Sequence, residues 1–163
     1  MKKILLSISL LAFILVSCAQ SNCSIKRAYA FYTVNMPGMV MKDEQGREVR
    51  PEPNIERFIY IECMGAKMPL IETILYNNIR YTTTLTRVEG MIVSAGKKVP
   101  DGQDFTITCS KGNTFWKIDL AAAEENAKAK ENCKNIIIRY KTGNKSCKKY
   151  IYKETEIAGL PRY

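Results

Sequence analysis

The feature that most constrains the fold is a succession of short segments rich in β-branched and aromatic residues, each bounded by turn formers. Residues 57–64 (RFIYIECM) are nearly all apolar and predict a central strand. Four hairpins are predicted, at 39–50, 71–88, 105–120 and 136–154, with turns at 43–46, 77–78, 110–113 and 143–146. The pattern predicts an all-β fold, a single β-sandwich-like domain or a partly open barrel.

One segment departs from this pattern. Asp119 is suited to cap a helix over residues 120–132, which is rich in alanine and places Glu124 four residues before Lys128. We therefore expect one minor helix on the surface of the β domain. No repeat or linker indicates a second domain.

The chain begins with a leader-like segment. Lys2 and Lys3 precede residues 4–16, which carry no charge. A membrane-spanning helix needs about 20 apolar residues, so this run is too short and has instead the length of a signal-peptide core. It closes with Leu15-Val16-Ser17-Cys18. These four residues resemble the lipobox of bacterial lipoprotein precursors.

The resemblance implies that the Cys18 thiol receives a diacylglycerol group and that cleavage falls between Ser17 and Cys18. Two or three acyl chains would then hold the protein stably on a membrane. Ala19, where some lipoproteins carry Asp, implies the outer membrane of a Gram-negative cell envelope. Ordinary cleavage after Ala19 is the alternative, because Ser17-Cys18-Ala19 is also a small-x-small site. The predicted divisions are a signal peptide (1–17), a lipidated tether (18–26) and the β domain (27–163).

Export to an oxidising compartment favours disulfides. Five cysteines follow Cys18, so at least one thiol is left over. Cys23, near the tether, is the natural odd one out, and the connectivity of the others stays open. No CxxC pair occurs, so neither a zinc ribbon nor a thioredoxin-type motif is indicated. The candidate disulfide cysteines are Cys63, Cys109, Cys133 and Cys147.

The chain contains no histidine. This excludes Ser-His-Asp and Cys-His nucleophile activation, HExxH zinc hydrolysis and the commonest metal ligand. We therefore predict no catalytic residues, no metal and no cofactor. An enzyme built on this sequence would need carboxylates, lysine or a bare thiol.

The composition is basic, with 25 Lys and Arg against 16 Asp and Glu. Two of the basic residues lie in the leader, and the remaining excess favours anionic neighbours. Basic and aromatic residues interleave near the C-terminus, as in surfaces that stack on sugars or bases. A solvated strand edge defended by lysine has the same appearance. The envelope location excludes nucleic acid and leaves lipopolysaccharide or another anionic glycan as the ligand. The candidate patch is Arg139, Lys141, Lys148, Lys149, Tyr150 and Tyr152.

Carboxylates are the remaining chemical candidates, because two of them can flank a glycosidic bond. Glu62 lies in the most apolar strand, where burial would raise its pKa, although ordinary alternation predicts an outward side chain. Alternation also predicts that Phe115 and Trp116 point to opposite faces. The candidate acids are Asp43, Glu44, Glu52, Glu56, Glu62 and Glu72.

Three functions are consistent with these observations. The first is a non-enzymatic envelope lipoprotein, anchored to the membrane by its lipid and acting as a binding or accessory module for an envelope partner. The second is a module that binds anionic glycan or lipopolysaccharide through the basic–aromatic patch. The third is a hydrolase that works through carboxylates.

Overall fold

The computed structural model describes residues 23–35, 41–49, 53–122 and 135–159. Within these ranges the chain forms twelve strands and no helix, which confirms the all-β prediction. The strands are β1 (Ile25–Asn35), β2 (Met41–Lys42), β3 (Glu48–Val49), β4 (Asn54–Met64), β5 (Leu70–Tyr76), β6 (Ile79–Val88), β7 (Ile92–Lys97), β8 (Asp104–Thr108), β9 (Asn113–Ala122), β10 (Ile136–Thr142), β11 (Lys145–Ile151) and β12 (Glu154–Glu156).

Eight of the described strands form one sheet in the order β11-β10-β5-β6-β9-β4-β1-β12. The sheet curls until β1 approaches β11, so its shape is a nearly closed barrel. A disulfide joins Cys23 to Cys147 across this gap. The Ile25 amide also donates to the Tyr140 hydroxyl, at 3.3 Å. We call the line between β1 and β11 the seam, because side chains bridge it there.

The two faces of the sheet bury different cores. On β4, alternate residues Ile59 and Ile61 face the barrel interior, and Phe58 and Tyr60 face outward. The hairpin β7–β8 covers the outward face with its own apolar side chains. Phe115 and Trp116 pack in these two separate cores, which confirms their predicted opposite directions.

The short-range turns agree with the sequence. Asn77 and Asn78 have φ of 45° and 69°, in the left-handed region that asparagine tolerates, and they join β5 to β6 as predicted. The hairpins β2–β3 and β10–β11 also form at the predicted places. Strand β4 lies between β1 and β9, the central position predicted for residues 57–64.

Two secondary-structure predictions are wrong in the described residues. The predicted hairpin over 105–120 does not form, because β8 pairs with β7 and β9 pairs with β4 and β6. The predicted helix does not begin at Leu120. Residues 120–122 continue β9 and pair with Thr83, Thr82 and Tyr81 of β6, so the sheet takes up their backbone groups. The rest of that helix, 123–132, lies outside the described residues.

The folded domain also begins earlier than predicted. The sequence predicts that residues 23–26 belong to the tether, but Ile25 starts β1 and Cys23 is bonded to β11. Ser24 is held as well, since its amide donates to Thr142 Oγ1 at 3.2 Å. The predicted signal peptide and Cys18 lie outside the described residues. In the part of the chain that the structure describes, no helix is long and apolar enough to cross a membrane.

The barrel has two distinct ends. At the first, which we call the Cys23 end, β1 and β9 begin, β4 and β6 finish, and the β10–β11 turn lies close by. At the opposite end β1 finishes at Asn35, and the Asn77-Asn78 turn joins β5 to β6.

Candidate functional site

A cleft of about 690 Å³ opens between the outward face of β1-β4-β9 and the β7–β8 hairpin. Toward the Cys23 end the two layers pack together, and Val93 and Ile107 of the hairpin share an apolar cluster with Phe115 of β9. Toward the opposite end the sheet carries polar side chains instead, and the two layers separate. The lining includes Thr33, Asn35, Glu56, Phe58, Ser94, Lys97, Asp104, Lys117, Asp119 and Ile157.

The sheet side of the cleft combines an aromatic ring with charges of both signs. Lys117 and Asp119 are two residues apart on β9 and therefore share a face. The Lys117 ammonium lies 2.6 Å from Asp119 Oδ1 and 5.2 Å from the centre of the Phe58 ring. Glu56 on β4 and Asp104 on β8 add two further carboxylates. Such a surface can hold a ligand that has an apolar body and groups of both charges.

The wall of the cleft is fixed by a close contact between the hairpin and the C-terminal segment. Gly96 has φ of +119°, and a Cβ there would overlap the Ile157 side chain. The neighbouring Ala158 amide donates to the Lys97 carbonyl at 2.7 Å. Glycine is therefore required at this point, because any larger residue would push the wall outward.

Glu62 points to the outward face, as alternation predicts, but it is fully buried because the β8–β9 connection covers it. Its carboxylate accepts hydrogen bonds from Arg27 Nε, from the Ser110 amide at 3.1 Å and from Asn113 Nδ2 at 2.5 Å.

These partners reverse the pKa shift that burial alone predicts. Burial raises the pKa of Glu62, but the hydrogen bonds from Arg27, Asn113 and Ser110 together outweigh it and lower the pKa to about 2. The raised pKa that burial alone would give is therefore not found at Glu62. The ionised Glu62 carboxylate therefore holds the β8–β9 connection against the sheet.

The cysteine assignment needs correction. Cys23, predicted as the unpaired cysteine, forms a disulfide with Cys147. Cys63 and Cys109 are buried free thiols that lie in different cores, so the sheet separates them. Burial, with smaller contributions from Glu62 and Cys109, raises the pKa of Cys63 to about 12. Cys133 lies outside the described residues.

The basic–aromatic patch is brought together only in part. Arg139 and Lys148 are directly paired across β10 and β11, and both are exposed. The Tyr150 and Tyr152 rings are nearly parallel, with an interplanar angle of 8° and centroids 6.3 Å apart. We call these four residues the exposed patch.

The other two predicted patch residues have different partners. The Lys141 ammonium lies 2.8 Å from the Glu72 carboxylate, which offsets its charge. Lys149 turns to the seam and donates to the Lys26 carbonyl at 2.8 Å. Neither leaves a free cation for the patch.

The remaining candidate acids are dispersed. Asp43 is bound to Arg47 within the β2–β3 turn, and hydrogen bonds from the Arg47 backbone first, then from its side chain and from the Gln45 amide, lower its pKa. Glu44 is exposed in the same turn, and Glu52 lies outside the described residues. Of the predicted acids that the structure describes, Glu56 alone lines the cleft.

Sequence reasoning missed Phe58, Asp104, Lys117 and Asp119 as site residues. Strand alternation shows that Lys117 and Asp119 share a face, but it does not show what covers that face. Among the described residues, no group of three His, Cys, Asp or Glu side chains converges as a metal site. No family model matches the chain, and neither the curated proteins nor the solved structures gave a match.

Proposed function

We propose that the protein is a small lipoprotein of the cell envelope that binds a ligand without transforming it, and that the cleft is its binding site. The observation that carries this proposal is the cleft itself. Its volume of about 690 Å³ falls within the range of roughly 300–1,000 Å³ that ligand sites occupy.

The lining favours a small zwitterionic or peptide-like ligand. Phe58 offers an apolar floor, and Lys117 beside it can receive a carboxylate or phosphate. Glu56 and Asp104 can receive an amine. The ligand would replace the Lys117–Asp119 ion pair in part, which costs little because both side chains are substantially exposed.

The proposed location in the cell follows from the lipobox resemblance. Acylation of Cys18 would hold the domain at the outer membrane of a Gram-negative envelope, where an envelope protein could be its partner. The cleft lies toward the barrel end opposite Cys23. A ligand could therefore reach it from the aqueous side.

A matched pair of tryptophan substitutions tests the cleft. Thr33→Trp places a large ring on the sheet side of the cleft, because Thr33 shares the outward face of β1 with Phe31, and Thr82→Trp places the same ring on the exposed face of β6. The purified full-length proteins are mixed with a small-molecule extract of the cell envelope, and bound components are detected by ligand-observed NMR. We expect binding by the wild type and Thr82→Trp but not by Thr33→Trp. Binding that survives Thr33→Trp, or no binding by any form, would contradict the proposal.

The exposed patch supports a second candidate, a module for anionic glycan. The observation in its favour is the nearly parallel Tyr150–Tyr152 pair next to the Arg139–Lys148 pair. Binding of lipopolysaccharide should weaken in Lys148→Glu and at high salt, but not in the control Lys42→Glu on β2. Equal binding by both variants would exclude the patch.

The carboxylate hydrolase also has a specific observation behind it. Glu56, Asp104 and Asp119 line one cleft, and this chemistry needs two acidic side chains that face the same cleft. A panel of chromogenic glycosides distinguishes it from binding alone. Turnover that Asp119→Asn abolishes would favour the hydrolase, and absence of turnover with every glycoside would favour the binding module.

A further inference from the structure

Large apolar side chains are exposed at the Cys23 end of the barrel. They lie within the β4–β5 and β6–β7 connections or at the strand ends beside them, and between 48% and 67% of each is exposed. Elsewhere in the described ranges, the exposed large apolar residues are one aliphatic, Val99, and the two patch tyrosines. The apolar residues at the Cys23 end are Met64, Met68, Leu70, Met91 and Ile92.

The topology places these connections at one end. Met64 finishes β4 opposite Asn113, the first residue of β9. Leu70 begins β5 opposite Lys141, close to the β10–β11 turn. Met91 follows the end of β6, and its carbonyl accepts from the Cys109 amide at 2.7 Å. The exposed apolar residues therefore share the end at which Cys23 enters the fold.

The same end is basic. Four exposed lysines lie on its strand ends and loops, Lys26, Lys67, Lys111 and Lys145. Fewer acidic residues lie at this end, and two of them are paired with basic side chains. Glu62 is buried against Arg27, Glu72 contacts Lys141, and Glu89 is exposed. Apolar side chains among lysines are the composition of surfaces that lie in the interface of anionic membranes.

The lipid attachment point is close to this end. Residues 19–22 separate Cys18 from Cys23. Five residue steps span at most about 18 Å even when fully extended. The entry point is fixed, because Cys23 is bonded to Cys147 and the Met64 amide donates to the Ser24 carbonyl at 2.8 Å. An anchored chain therefore cannot turn this end far from the bilayer.

We propose that the Cys23 end of the barrel docks on the anionic phospholipid surface of the membrane that holds the Cys18 anchor. The inference rests on the proposed lipidation and adds an orientation to it. Met68, Leu70 and Ile92 enter the headgroup layer, and Lys67, Lys111 and Lys145 face the lipid phosphates. The cleft and the exposed patch tyrosines then point away from the bilayer.

Depth-dependent quenching tests this orientation in the full lipidated protein. The protein is reconstituted into vesicles of phosphatidylethanolamine and phosphatidylglycerol that contain phospholipids brominated near the interface. Met68→Trp places an indole at the Cys23 end, and Tyr152→Trp places one on the exposed patch, with Trp116 common to both. We expect the fractional loss of emission in Met68→Trp to exceed that in Tyr152→Trp roughly twofold or more, as for side chains inserted into the interface.

A charge-reversal pair tests the lysines. Lys67→Glu/Lys145→Glu, introduced into Met68→Trp, should reduce its quenching, whereas Lys42→Glu/Lys153→Glu should not. Vesicles of phosphatidylcholine alone should also reduce it, because they lack the anionic headgroups.

Vesicle flotation of each sample separates the outcomes. Protein that floats with the vesicles but shows equal quenching at both positions overturns the docking and leaves the anchor standing. Quenching that is unchanged both by the lysine reversal and by vesicles without anionic lipid overturns the anionic docking surface and also leaves the anchor standing. Protein that does not float overturns the lipid anchor and the docking with it.

Discussion

Replacing Glu62 by glutamine should destabilise the fold by an amount that depends on pH. The pKa of Glu62 is lowered from 4.5 to about 2 in the folded protein. One pKa unit corresponds to about 1.4 kcal/mol, so the ionised carboxylate stabilises the fold by about 3 kcal/mol at pH 7. The free energy of unfolding of a small domain is only about 5–15 kcal/mol, so the loss of this contribution is large.

The sign of the pH dependence follows from the direction of the shift. The folded pKa lies below the unfolded one, so the stabilisation is complete above about pH 5 and is lost as the pH falls toward 2. The difference between wild type and Glu62→Gln should therefore be about half as large at pH 3 as at pH 7.

Urea unfolding followed by the fluorescence of Trp116, the one tryptophan, measures this difference. Glu72→Gln is the control, because Glu72 and Lys141 form an exposed ion pair that should contribute less than about 1 kcal/mol. Equal urea midpoints for Glu62→Gln and wild type at pH 7 would refute the stabilisation of the fold by ionised Glu62. So would a difference that stays the same at pH 3.

Three further predictions concern the cysteines. Growth on a labelled fatty acid should mark the wild type and leave Cys18→Ala unmarked, and labelling of the variant would contradict the lipobox assignment. Cys23→Ser opens a disulfide that closes a separation of 124 residues and should lower the free energy of unfolding by about 2–5 kcal/mol in urea titrations. An unchanged midpoint would show that the bond adds nothing to the fold. Cys63 should resist iodoacetamide at pH 8 until the protein unfolds, since burial raises its pKa to about 12, and peptide mapping of the folded protein that finds it alkylated would contradict this.

The parts of the fold that depend on local chemistry could be predicted. The Asn77-Asn78 turn follows from the tolerance of asparagine for left-handed backbone, and the position of β4 follows from its continuous apolar character. The opposite directions of Phe115 and Trp116 follow from the period of a strand. Each of these depends on neighbours within a few residues.

The parts that depend on distant partners could not be predicted. A four-residue connection between β8 and β9 suits a hairpin, yet Phe115 on the outward face of β9 needs a cover. The β7–β8 hairpin supplies that cover, so β8 pairs with β7 and not with β9. No feature of the sequence near residue 115 indicates whether β8 pairs with β7 or with β9.

The candidate site depends on the same distant contacts. Glu62 is buried because Arg27, Ser110 and Asn113 converge on it from separate strands and connections. The position of Cys23 near the predicted tether indicates an unpaired cysteine, but the curl of the sheet brings it to β11. The cleft exists only where the hairpin leaves the sheet.

The neighbours of β1 set an order on assembly. Strand β1 pairs with β4 and, in parallel, with β12, the last of the described strands. Cys23, two residues before β1, is bonded to Cys147, far along the chain. A polypeptide delivered from its N-terminus therefore leaves β1 paired with β4 alone until residues 154–156 have emerged. During that interval one edge of β1 lacks a neighbouring strand, and β12 covers part of this edge once it pairs with residues 30–32.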